Sequence, residues 1–257
     1  MKHIAVITGA SSGIGKQFAI TLKDQGTFDE VWVIARRADR LEQLKTEIPF
    51  PVKAISLDLS DKESFKKYES LLAEEEPSIR LLINCSGYGK FAATTGVSYE
   101  ENLNMLDLNC GAVLAMCQLS IPYMSEGAKI LNIASVAAFQ PIPYINVYGA
   151  TKSFVLHFSR ALNRELKGKR ITVTAVCPFW TKTEFFGRAV NDQEKAIVKK
   201  YVAMYEPAQI VSKAWKDMKK GKDVSMYGFK ANMQTLLVKL VPHAAVMSIW
   251  MNQQKLK

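Results

Sequence analysis

The stretch "HIAVITGASSGIG", His3 to Gly15, decides the fold. Its first half is a short apolar run closed at once by glycine, which reads as a buried strand. Its second half, T-G-x-x-x-G-x-G from Thr8 to Gly15, is a tight turn that opens a helix. Glycine lets the backbone approach a ligand there, and the N-terminus of the following helix favours negative charge, so the turn suits a pyrophosphate. Strand-to-helix turns also use glycine for geometry alone, so this turn gains weight from its place after the first strand.

Outward from this unit the pattern repeats. Runs at 3–8, 30–35, 52–57, 80–84, 128–134 and 171–176 read as buried strands. Amphipathic segments near 14–25, 38–47, 61–76, 98–124 and 147–167 lie between them. Near-continuous apolar strands alternating with helices predict an α/β fold, a doubly wound parallel sheet of about seven strands covered on both faces. No linker, long charge run or internal repeat divides the 257 residues, which predicts a single domain. After residue 178 a polar and aromatic connection (179–206) leads to a helix near 207–220, a short strand near 224–226 and a helical tail (231–257).

Composition narrows the function classes. An apolar content of 48% argues against disorder. The N-terminal apolar run, Ile4 to Ile7, is too short for a signal segment or a membrane span, which predicts a cytoplasmic protein. The cysteines (Cys85, Cys110, Cys117, Cys177) show no C-x-x-C spacing and read as buried free thiols, with no metal site. The net charge of +10 is concentrated at the end: residues 195–257 hold twelve lysines against three acids. Such a face suits an anionic partner or is simply a solvated surface, and no nucleic-acid-binding signature accompanies it.

"YGATK" places Tyr148 and Lys152 four residues apart, on one side of a helix. That spacing is common by chance, but the motifs around it recur in a familiar order. "TGASSGIG" (8–15), "LDLSD" (57–61), "NCSG" (84–87), Asn109 in "LNCG", Ser135 in "NIASV", "YGATK" and "CPFWTKT" (177–183) together resemble the short-chain dehydrogenases/reductases, over roughly residues 3–226. The likeness is to members of the hydroxysteroid dehydrogenase and 3-oxoacyl reductase type. Two departures stand out: Cys85-Ser86 where the family usually has Asn-Ala, and Phe179 where it has glycine beside the nicotinamide.

The resemblance implies a Rossmann-type sheet and an oxidoreductase that interconverts a ketone and a secondary alcohol. Tyr148 would be the general acid/base, and Lys152 would lower its pKa and hold the nicotinamide ribose. Ser135 would hydrogen-bond the substrate oxygen, and Asn109 would hold a relay water. Gly9, Ser11, Ser12, Gly13, Ile14 and Gly15 would cradle the diphosphate. Asp58 and Leu59 would sit by the adenine, with further cofactor contacts from Asn84, Gly87, Pro178, Thr181 and Thr183. Hydride transfer builds negative charge on the carbonyl oxygen, so a phenol tuned by a nearby cation is a suitable proton donor. Taken singly, Asn109 could kink its helix and Ser135 could simply end a strand.

Position 35, where an acid would select NAD, is alanine, and Arg36 and Arg37 follow. This predicts NADP(H), with guanidinium on the 2′-phosphate and Arg36 favoured by its place. The resemblance also implies a homodimer or homotetramer built on the helices over 98–124 and 147–167. The aromatic segment 179–206 would close over substrate. The apolar tail could pack on the fold or a neighbouring subunit, cap a large pocket, or rest on an anionic membrane. Together they favour a bulky lipophilic substrate, steroid-like or fatty-acyl-like. A dinucleotide-bound sensor or scaffold using the basic surface is the other function class, although it need not retain all four catalytic groups.

Overall fold

Strand β1 (His3–Thr8) sends alternate side chains into two cores. Ile4 and Val6 enter one apolar cluster, while Ala5 and Ile7 enter another on the opposite face. A strand buried on both sides is what its unbroken apolar run requires. The computed structural model describes residues 1–190 and 197–256.

The other strands are β2 (Glu30–Ala35), β3 (Val52–Ser56), β4 (Ser78–Asn84), β5 (Lys129–Ile133), β6 (Thr172–Val176) and the short β7 (Val224–Ser225). They form one parallel sheet in the order β3-β2-β1-β4-β5-β6-β7. The order reverses between β1 and β4, so a crevice opens beyond the carboxyl ends of these strands.

One face is covered by α1 (Gly13–Ile20), α2 (Ala38–Glu47) and α8 (Pro207–Lys219), whose Phe18, Leu41 and Trp215 share a core. The other is covered by α3 (Lys62–Glu75), α4 (Tyr99–Leu106), α5 (Ala112–Ser120) and α6 (Asn146–Glu165). From these, Tyr68, Met116 and Leu156 meet Ile4 and Leu82 of the sheet. A short helix α7 (Phe185–Ala189) lies in the segment expected as a lid, and α9 (Phe229–Val238) and α10 (His243–Gln254) form the tail.

The sequence predicts one helix over 98–124, and the structure divides it. A wide π-turn, Asp107–Gly111, separates α4 from α5. The turn turns Asn109 into the fold, where its amide donates to the Tyr88 carbonyl (2.8 Å) and Thr151 Oγ1 (3.0 Å). Such turns recur where a helix aims a functional residue. The run Tyr99–Tyr123 is long and apolar enough to cross a membrane, but here Val113, Met116 and Cys117 pack into the core. Residues 191–196 of the expected lid and Lys257 of the tail lie outside the described residues.

Candidate active site

The carboxyl ends of the strands meet a cleft of about 940 Å³ that runs from the glycine turn to the tail helices. Gly9 and Gly13 adopt φ of +66° and +55°, which favour glycine. A Cβ at Gly9 would lie 2.8 Å from the backbone of Cys85 and Ser86, and one at Gly15 would lie 2.2 Å from the Gly9 carbonyl. Turn and neighbouring loop are therefore packed backbone to backbone. Thr8 Oγ1 fixes them by accepting from the Cys85 and Ser86 amides at 3.0 and 3.2 Å.

The adenosine end is built by β2 and β3. Arg37 donates to Ser11 Oγ (3.1 Å) and Ser12 Oγ (2.8 Å). Arg36 instead lies 3.6 Å from Asp58, whose carboxylate also accepts from the Ser60 amide and hydroxyl. Burial raises the Asp58 pKa, but the Ser60 hydrogen bonds and Arg36 outweigh it and leave the group below its ordinary value. The sequence favours Arg36 for a phosphate, yet it is Arg37 that closes a pocket with two hydroxyls. A cation, two hydroxyls and an alanine at the end of β2 fit a dinucleotide with a 2′-phosphate.

At the other end, α6 carries Tyr148 and Lys152, and the segment after β5 carries Ser135; all three line the cleft. Lys152 Nζ donates to the Ile133 carbonyl at 2.8 Å and stands 5.7 Å from the Tyr148 ring centre. Gly87 leaves room here: a Cβ on it would lie 2.9 Å from Asn109 Oδ1 and 3.4 Å from Lys152 Nζ. Burial pushes the Tyr148 phenol up to about 12, against a lowering hydrogen bond from Ser135. Burial likewise brings Lys152 down to about 8. The sequence anticipates a tyrosine lowered by its lysine; in the protein alone, desolvation dominates and the phenol is raised instead.

Of the residues singled out in the sequence, Asn84 and Asn109 do not reach the cleft wall. Asn84 is buried between β4 and β5, donating to Asn132 Oδ1 (2.9 Å) and Cys117 Sγ (3.3 Å). Asn109 is buried beneath Gly87, where its Oδ1 accepts the Tyr88 amide at 3.0 Å. The remaining candidates, including Leu59, Pro178, Thr181 and Thr183, line the cleft. All four cysteines are free; burial pushes the Cys85 and Cys177 thiols up to about 12.

Phe179 packs its ring against Trp180 and Tyr205, with centres 6.1 and 6.4 Å away. Phe185 reaches back to Tyr148 (5.4 Å) and Phe91 (5.9 Å), joining the segment after β6 and Tyr148 in one aromatic cluster. The ends of this segment are tied together, because Lys182 donates its amide to the Tyr205 carbonyl at 2.9 Å and Tyr205 to that of Trp180 at 2.8 Å.

The tail packs on the fold and also forms a wall of the cleft. Trp250 Nε1 donates to the Pro143 carbonyl (3.1 Å), while the buried Gln254 accepts the amides of Lys199 and Lys200 (2.8 and 3.0 Å). Sequence reading missed Phe91, Arg188 and Glu184. Glu184 clasps Arg37 and Arg40 at 2.8 and 2.6 Å from across the cleft, a partnership between residues almost 150 apart that no local pattern announces.

A nucleotide crevice that ends in a serine, a tyrosine and a lysine defines a class, the nucleotide-dependent oxidoreductases. The sequence pattern of the short chain dehydrogenases matches residues 3–194, and the chain belongs to that family. It is 33% identical over 199 residues to the very-long-chain 3-oxoacyl-CoA reductase of Homo sapiens, a match covering 70% of this chain and 60% of the human protein. Among solved structures, a short-chain dehydrogenase from Sphingobium yanoikuyae in complex with NADPH superposes with a TM-score of 0.78 at 28% identity, covering 96% of both chains. The bulky-bulky ketone specific alcohol dehydrogenase of Comamonas testosteroni superposes at 0.74 with 26% identity, covering 96% of this chain and 94% of that one.

Proposed function

We propose that this protein is an NADP(H)-dependent reductase of bulky lipophilic ketones, with Tyr148 as the general acid. One observation carries the reading: an apolar cleft joins the Arg37–Ser11–Ser12 pocket to the Ser135, Tyr148 and Lys152 side chains. A nicotinamide held by the cleft would supply the hydride. Ser135 holds the carbonyl oxygen, and Tyr148 gives it a proton as negative charge develops. A phenol raised to about 12 is fully protonated at neutral pH, which suits the reducing direction. Lys152, still largely charged at that pH, supplies positive potential beside the oxygen. Arg37 takes the 2′-phosphate and Asp58 the adenosine side.

The substrate class follows from the walls. Phe91, Trp180, Phe185 and Trp250 supply broad apolar surface, which suits a bulky lipophilic skeleton better than a sugar or a short polar alcohol. The NADPH complex, the bulky-ketone enzyme and the 3-oxoacyl-CoA reductase among similar proteins support the same reading. We place the protein in the cytoplasm as a single-domain homodimer or homotetramer. Leu103 and Leu106 on α4, Leu114 on α5 and Phe154 on α6 are exposed and offer the apolar face for it. A panel of steroid, long-chain acyl and small polar ketones, followed by loss of reduced-cofactor absorbance with NADPH and NADH, tests this. Preferential turnover of small polar ketones, or equal efficiency with both cofactors, would overturn it.

A further inference from the structure

The two ends of the cleft differ in how their charges are answered. At the cofactor end the lining acids are Asp58 and Glu184, each facing arginine. At the substrate end the described lining carries Arg188, Lys200 and Lys230 and no acid. Arg188 is already engaged, stacked 3.4 Å over the Tyr88 ring and 3.6 Å from Glu101. Lys200 and Lys230 form no ion pair among the described residues. Lys230 Nζ donates to a neutral acceptor, the Val202 carbonyl, at 3.1 Å, which brings it to the segment that carries Lys200.

This cationic mouth is held in place by its surroundings. Gln254, wholly buried, accepts the Lys200 amide and donates to its carbonyl at 3.1 Å, fixing the backbone that presents this lysine. The chain supplying the wall, from Val224 onward, contains no aspartate or glutamate at all. The tail adds apolar lining to the same cleft through Met233, Leu237, Val246 and Ile249, beside the neutral Gln234 and Gln253. A neutral lipophile would gain nothing from two ammonium groups that meet no carboxylate among the described residues, whereas an anion would.

Resting on the ketone-reductase reading, we infer that the substrate is an amphipathic anion. Its apolar skeleton carries the reactive carbonyl inward, and its anionic end group, a carboxylate or the phosphate of a carrier thioester, is received by Lys200 and Lys230. Two partly exposed ion pairs amount to about a tenfold preference for the acid over its neutral ester. The effect should appear in KM rather than kcat, because both groups lie away from the reacting oxygen.

The experiment compares a rigid lipophilic keto acid, its methyl ester and its coenzyme A thioester in the NADPH-loaded enzyme at low and high salt. The acid or the thioester should exceed the ester about tenfold in kcat/KM through KM, and salt should shrink the ratio. Lys200→Gln with Lys230→Gln should bring the ratio to about one. Lys167→Gln with Lys169→Gln, in the turn leading into the amino end of β6 and outside the cleft lining, should leave it unchanged. Which anion gives the larger ratio identifies the source of the charge. An ester as good as both anions, or a preference that survives the double substitution, overturns the inference and leaves ketone reduction standing. Absence of turnover with every ketone, neutral ones included, removes the parent reading and this one with it.

Discussion

Replacing Lys152 by methionine should make the protein more stable while disabling it. Lys152 is buried, and its pKa falls from 10.5 to about 8 because burial penalises the ammonium. At about 1.4 kcal/mol per unit, holding that charge at neutral pH costs on the order of 3 kcal/mol. Methionine fills a similar volume without charge. The substitution also leaves the Ile133 carbonyl without its 2.8 Å donor, which returns about 1–2 kcal/mol of the gain. The net is a stabilisation of about 1–2 kcal/mol, or about 2–8 °C in Tm for a chain of this size.

The sign of the pH dependence follows from linkage. Between about pH 8 and 10.5 the unfolded lysine keeps a proton that the folded one has released, so native stability rises with pH across that window. The methionine variant lacks this rise, so its advantage, full below about pH 8, shrinks across the window and reverses before pH 10.5. Tyr148, raised above its ordinary value of 10, works in the opposite sense: its contribution is present below pH 10 and lost as pH rises toward 12. It is common to both proteins and cancels in the difference. Differential scanning calorimetry from pH 6 to 10.5, with reductase assays alongside, provides the measurement. A variant less stable than the native protein at pH 7, or a Tm gap indifferent to pH, would refute the reasoning.

Tyr148→Phe should lower turnover at least about a hundredfold while leaving the NADPH dissociation constant within about twofold; normal turnover would remove the phenol from the mechanism. Arg37→Ala should weaken NADPH binding by about tenfold to a hundredfold and NADH binding little, whereas Arg36→Ala should affect both similarly. Fluorescence titration separates the two, and the reverse pattern would return the phosphate to Arg36. Gly228 adopts φ +98°, and a Cβ there would lie 2.3 Å from the Tyr205 hydroxyl. Gly228→Ala should therefore destabilise the protein by roughly 1–3 kcal/mol, read as a lower urea midpoint; an unchanged midpoint would contradict it.

The sheet was legible because its strands are buried on both faces, leaving runs such as "VWVIA" that tolerate few other readings. Six strand positions and the glycine turn follow from such runs. The meeting of Ser135, Tyr148 and Lys152 at one cleft was legible through motif order, since Tyr148 and Lys152 share a helix and Ser135 follows a strand. Other features were hidden because they depend on contacts between distant segments. The π-turn at Asn109 arises from its bonds to Tyr88 and Thr151, and a local apolar period reads straight through it. Arg36 and Arg37 are adjacent in the chain, yet Asp58 takes one and Ser11 and Ser12 take the other. Asn84 sits in a family motif, but its amide meets Asn132 and Cys117 in the core.

One wall of the cleft comes from a stretch of chain apart from the rest. The glycine turn, the arginines and the catalytic trio all precede residue 194, where the match to the family pattern ends. The wall formed by Phe229 to Gln253 comes after it. The tail wall can therefore change without touching the glycine turn or the Ser135, Tyr148 and Lys152 side chains, whereas Phe91, Trp180 and Phe185 of the facing wall lie inside the matched stretch. The same division makes the last thirty or so residues a cassette: exchanging them between relatives should transplant appetite without rebuilding the machine, provided that Trp250 and Gln254 keep their anchors.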